Sequence, residues 1–187
     1  LHDYRIKLLK EMGCNAYRAS HNPPTPELLD ACDRLGMLVM AEARYFSSSE
    51  EHLGQLADMV RVHRSHPSVV IWSIGNEEQE ADDAPQGPKI ARTMRNVLRK
   101  HDHTRPVTMA IAPYSWHLKD ARPLAPILPL GDELDVMGFN YCECHWVPYH
   151  ERRPEKPVVV TEDSSCGTTR GCYREDPIRC YQAGLGL

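Results

Sequence analysis

The stretch from Pro67 to Glu78, PSVVIWSIGNEE, constrains the fold of this chain more than any other. Val69, Val70, Ile71, Trp72 and Ile74 form a largely β-branched apolar run too short for a helix. It reads as a strand buried on both faces, the kind found in a parallel sheet covered by helices. The run then breaks off on Gly75-Asn76-Glu77-Glu78, which sets an amide and a carboxyl where a central strand meets the surface. Lys156-Pro157-Val158-Val159-Val160-Thr161-Glu162-Asp163 repeats the design far along the chain. Two apolar strands that each end on a carboxylate are the sharpest functional signal in the sequence.

Around these two strands, helical and extended patterns alternate. Ile6, Leu8, Leu9 and Met12 give a first helix, with Asp3 as its expected cap and Gly13 as its stop. Residues 14–20 read as a strand. Thr25-Pro26-Glu27 combines a cap, a first-turn proline and an early acid, opening a helix with Leu28, Cys32 and Leu35 on one face and Gly36 at its end. Residues 37–43 form another apolar strand ending near a carboxylate, Glu42. Serines 47–49 with Glu50 and Glu51 have capping-box spacing ahead of Leu53, Leu56, Ala57 and Val60. Pro88 opens a helix through Leu98, and His101-Asp102-His103 after it reads as a surface group at a helix end. Strands follow at 107–112 and 134–141. Residues 113–131 are Pro-rich without a readable period, 145–155 is irregular and partly helical, and nothing periodic follows Asp163.

Such alternation predicts an α/β fold with a parallel sheet and crossover helices. Six strands would suit a doubly wound sheet, but no Gly-rich turn follows the first strand, and polar groups end nearly every strand. Side chains converging from many strand ends mark the C-terminal face of a (β/α)8 TIM barrel. At 187 residues the chain falls short of the roughly 250 that eight such units need. The expectation is therefore one domain over 1–187, running from a barrel's first helix through its seventh strand, without the first and eighth strands. Its open edges predict poor stability or inactivity for the stretch in isolation.

Composition excludes several functions. A net charge of −4 and the absence of a basic, aromatic-laced stripe argue against a nucleic-acid partner. No apolar run reaches membrane-spanning length, so no membrane partner is expected. The seven cysteines show no disulfide framework, which favours a reducing compartment and a cytoplasmic location. Cys14 and Cys32 read as buried thiols. Cys142-Glu143-Cys144-His145 has a zinc-like look, but Cys166 and Cys172 do not complete a recognised spacing, and unpaired loop thiols explain it better.

Two carboxyls facing each other across one bond are what glycoside cleavage requires. One must hold a proton for the leaving oxygen, and the other must stay ionised to attack the sugar carbon. Glu77 and Glu162 are candidates for that pair, with the Asn76 amide beside Glu77 able to bind a sugar hydroxyl. Either glutamate alone could equally be a helix cap or a solvated charge.

Arg18-Ala19-Ser20-His21-Asn22-Pro23, Cys32-Asp33-Arg34-Leu35-Gly36-Met37 and the run from His66 to Glu77 together resemble glycoside hydrolase family 2. Val160-Thr161-Glu162, followed by Thr169-Arg170-Gly171-Cys172-Tyr173, resembles the nucleophile region of its bacterial β-galactosidase-like members. The resemblance implies a retaining β-glycosidase, of β-galactosidase type ahead of β-glucuronidase or β-mannosidase, with an inactive sugar-binding remnant as the reading from another class. It implies Glu77 as acid/base, Glu162 as nucleophile, and Arg18, His21, Asn76 and Tyr141 around the sugar, Tyr141 holding the nucleophile. For Arg18 a structural ion pair at the barrel base is an equal alternative, and for Tyr141 a buried packing role. Trp116 reads as ordinary packing ahead of a sugar platform. The partner implied is a carbohydrate, with room for a homo-oligomer built through domains outside this stretch. No cofactor is implied: the Glu-x-His metal pair of some members has no counterpart in Ala43-Arg44-Tyr45-Phe46-Ser47.

Overall fold

The computed structural model describes residues 1–78, 81, 85–112, 124–141 and 143–163. Trp116, Cys142, Cys166, Cys172 and the Thr169–Tyr173 segment lie outside them. The described chain alternates as α1 (His2–Glu11), β1 (Ala16–Ala19), α2 (Pro26–Leu35), β2 (Leu38–Glu42), α3 (Glu50–His63), β3 (Val69–Asn76), α4 (Gly87–Arg99), β4 (Val107–Ile111), α5 (Leu128–Asp132), β5 (Met137–Asn140), α6 (Glu143–Arg152) and β6 (Val158–Glu162). The six strands pair in sequence order, every pair parallel. A doubly wound sheet reverses its order at a switch point. Here the order never reverses, so this is an incomplete TIM barrel.

Local chemistry sets the element ends. The Thr25 hydroxyl accepts the Leu28 N–H, Pro26 occupies the first turn, and Gly36 closes α2 at φ 69°, where a β-carbon would be strained. Ser49 caps α3 by accepting from His52 N–H, but position N3 holds that histidine, so no reciprocal capping box forms. Asp3 does not cap α1. It lies inside the first turn and pairs with Arg34 of α2 at 2.6 Å. Two helices were less legible: α5 lies in the Pro-rich stretch, and α6 runs ten residues despite carrying Pro148.

The helices bury Ile6, Leu29, Cys32, Leu56, Val60, Met94 and Leu98 against Val39, Ala41, Trp72, Ile74, Met109 and Ile111 of the sheet. Burial, with Asp33 alongside, pushes the Cys32 thiol up to about 11. Asp102 is not a surface residue as its neighbours suggested. It is buried and accepts Trp72 Nε1–H at 2.9 Å, Arg105 Nη1–H at 2.8 Å and two hydrogen bonds from Thr104. These bonds lock the turn after α4 onto β3.

The interior side of the sheet differs from the two-sided burial expected of β3. Val70 is 38% exposed, with Leu38 and Val160 similarly open. Residues of β1, β2, β3 and β6, among them Ala16, Met40, Val70 and Val159, line a cavity of about 310 Å³. A complete barrel fills this space with layers of side chains. Six strands curl far enough to bring β1 opposite β6 without pairing them.

Candidate active site

At the C-terminal ends of the strands, side chains from five strands form one hydrogen-bonded network. Arg18, one residue before the end of β1, is its centre. Its Nη1 donates to Glu162 Oε1 at 2.6 Å, and its Nη2 donates to Asn76 Oδ1 at 2.6 Å. Its Nε and Nη2 also both reach Glu42 Oε2, at 3.0 and 2.8 Å. His21, in the loop after β1, places Nδ1 2.9 Å from Glu42 Oε1 and Nε2 3.6 Å from Glu162 Oε1. On the far side, Asn140 donates through Nδ2 to Asn76 Oδ1 at 2.9 Å and to Glu77 Oε1 at 2.7 Å. Its Oδ1 accepts the Thr161 hydroxyl at 2.6 Å. The Tyr141 hydroxyl donates to Glu162 Oε2.

All six residues singled out in the sequence therefore enter one network. Glu77 and Glu162 stand at the same end of the sheet, joined through Asn140, Asn76 and Arg18. Arg18 does form ion pairs, but at the mouth of the barrel and not at its base. Four members were not singled out as site residues: Thr161, and the fully buried Glu42, Asn140 and Ser73, the last of which donates its hydroxyl to Glu42 Oε2 at 2.9 Å. For Glu42 and Asn140 the sequence signal was present, since each ends an apolar strand on a polar group. Ser73 sits inside β3 and gives no such signal.

The electrostatics of Glu162 follow from its neighbours. Partial burial pushes its carboxyl up, but hydrogen bonds from Tyr141 and Arg18, with the charges of Arg18 and His21, outweigh this and hold it below the ordinary glutamate value. A carboxylate so held is ionised across the neutral range. Backbone strain falls on the same face. Glu77 (φ 52°) and Tyr141 (φ 55°) are the non-glycine residues with positive φ among those described, and each directly follows a strand end. Such conformations cost of order 1–3 kcal/mol and persist where the surroundings over-determine them. Here the Glu77 N–H bonds Ala110 O at 2.9 Å, while the Tyr141 carbonyl accepts Trp146 Nε1–H at 2.8 Å. Away from the site, Cys144 Sγ lies 3.3 Å from His145 Nδ1.

Residues 2–49 and 46–162 match the family model for the TIM barrel domain of glycosyl hydrolases family 2. The chain belongs to glycoside hydrolase family 2. Among its relatives, a β-galactosidase of Bacteroides ovatus is 34% identical over 212 residues, covering 94% of this chain and 25% of that protein. A β-glucuronidase of Canis lupus familiaris is 39% identical over 212 residues, covering 96% of this chain and 30% of that protein. The crystal structure of a family 2 member from Bacteroides cellulosilyticus superposes with a TM-score of 0.74 at 36% identity, covering 87% of this chain and 22% of that one. The chain thus spans between a quarter and a third of the length of these curated family 2 relatives.

Proposed function

We propose that this stretch is the catalytic barrel of a retaining β-glycosidase acting on terminal β-D-galactosides. Glu162 attacks the anomeric carbon and forms a glycosyl-enzyme intermediate. Glu77 gives a proton to the departing oxygen, then takes one from the water that releases the sugar. Arg18 and Tyr141 hold the nucleophile, while Asn76 and His21 present polar atoms to sugar hydroxyls. The observation that carries the reading is the continuous network joining Glu77 to Glu162 across the mouth of the barrel. Family membership and the similarity to a named β-galactosidase support it.

The similarity to β-glucuronidases makes the glucuronide the competing substrate. A glucuronide carboxylate needs a cation of its own, and within the network Arg18 is already shared between Glu42 and Glu162. The galactoside is therefore the reading retained. The test is turnover of 4-nitrophenyl β-galactoside, glucuronide and mannoside by the full-length natural protein, with product stereochemistry followed by NMR. Galactoside hydrolysis with retention is expected. Inversion, or preference for the glucuronide, overturns the mechanism or the substrate respectively. E77Q should lose about 10²–10⁴-fold in kcat on a poorly activated leaving group. E162A should be inactive until azide, entering the space of the missing carboxyl, yields the inverted glycosyl azide.

A further inference from the structure

We infer that Glu42 is a positioning residue of this site: a buried carboxylate that fixes Arg18 and His21 and divides Arg18 between itself and the nucleophile. The inference rests on the reading of Glu162 given above. Glu42 ends β2 with its side chain 0% exposed, so it cannot touch substrate. Its Oε2 accepts from Arg18 Nε (3.0 Å), Arg18 Nη2 (2.8 Å) and Ser73 Oγ (2.9 Å), and its Oε1 accepts from His21 Nδ1 (2.9 Å). An ionised carboxylate offers about four lone-pair directions. Four donors from two strands and a loop meet that charge, three at Oε2 and one at Oε1, which is the condition for keeping it away from water.

Two consequences follow for the reacting groups. A carboxylate only accepts, so His21 Nδ1 carries a proton, and Nε2 is the atom presented towards Glu162 and the sugar. His21 keeps 41% of its side chain exposed for that purpose. The second consequence concerns charge. Glu162 is faced by Arg18 and His21 from β1 and its loop, by Tyr141 from the end of β5, and through Arg18 by Glu42. With Glu42 ionised, Arg18 answers two carboxylates. With that charge removed, the whole guanidinium acts on Glu162, which then holds its electron pair more tightly and attacks more slowly.

The experiment uses the full-length natural protein with 4-nitrophenyl β-galactoside, its active sites counted with a 2,4-dinitrophenyl 2-deoxy-2-fluoro-β-galactoside. E42Q keeps the shape and loses the charge, and should cut kcat by about 100-fold per titrated site. Its KM should change by less than about threefold, and the acid limb of kcat/KM should move to lower pH. E42D keeps the charge and should return the acid limb to its wild-type position. Wild-type kinetics in E42Q overturn the inference. So does a loss of turnover matched by an equal loss of titratable sites with an unmoved acid limb, which is what a merely structural role gives. If E42Q does not fold, S73A carries the test, because it withdraws one donor and leaves the charge. A kcat about fivefold down per titrated site supports the inference, and wild-type kcat overturns it. Failure of the underlying reading looks different: the wild-type protein itself then neither hydrolyses the glycoside nor is labelled at Glu162.

Discussion

Asn140 and Tyr141 are neighbours in the chain but serve opposite glutamates. Asn140 lies within β5 and points its amide at Glu77 and Asn76, while Tyr141, turned by its positive φ, gives its hydroxyl to Glu162. Y141F removes one of the bonds that lower the Glu162 carboxyl, so its value rises towards that of an ordinary glutamate. The acid limb of kcat/KM should therefore move to higher pH, the reverse of E42Q, and kcat should fall about 10–100-fold, as for a lost hydrogen bond to a charged group. A pH–rate profile of the full-length variant checks the sign. N140A leaves Glu77 Oε1 without its Asn140 donor and the Thr161 hydroxyl without its acceptor, and should lower kcat by at least 10-fold, more on poor leaving groups. The sequence showed Asn140 and Glu42 as polar strand ends and went no further. A strand end says that a side chain reaches the mouth. Its partners come from strands tens of residues away, and no local pattern records which atoms meet.

At the scale of elements, apolar runs and turn residues made the six strands legible, and β6 occupies Val158–Glu162 of the run read from Lys156 to Asp163. Thr25, Pro26 and Gly36 did the same for α2. Where reading failed, a tertiary contact had replaced a local one. Asp3 gives its carboxylate to Arg34 instead of its own helix end, and Asp102 turns inward to Trp72 from a run of residues that looks wet. D102A strands the Trp72 indole N–H and takes the carboxylate from Arg105 Nη1, and should cost about 2–4 kcal/mol in chemical denaturation. Gly138 on β5 is a second such place. A β-carbon there would sit 2.4 Å from the Met109 carbonyl oxygen of β4, and backbone cannot swing aside as a side chain can. G138A should force β4 and β5 apart, lowering stability by at least about 2 kcal/mol and disturbing Asn140 two residues on.

At the largest scale, the decisive feature among the described residues is a sheet that curls without closing. Arg18 of β1 fastens to Glu162 and the Thr161 carbonyl of β6 across the seam, so the pair that organises the site also holds the two edges of the sheet together. Below that clasp, Leu38, Val70 and Val160 remain open to solvent. The 187-residue stretch alone should therefore bind an apolar dye such as anilinonaphthalene sulfonate at neutral pH while keeping its far-ultraviolet dichroism. The acid response has a definite sign. Glu162, Asp33 and Asp102 are each held below their ordinary values, although burial, the largest influence on each, pushes upward. The hydrogen bonds to Tyr141 and Arg18, to Ser68 and His66, and to Thr104, Arg105 and Trp72 win. A group depressed in the folded state stabilises above its unfolded value, and that stability is lost as pH falls through the folded one. Dye binding should thus stay level from pH 7 down to about 4.5, then climb as the carboxylates take up protons and the seam opens. In R18A the clasp is absent at every pH. Its dye binding at pH 7 should already exceed the wild-type level, and an R18A signal equal to wild type at pH 7 would mean that the seam is held by something other than this ion pair.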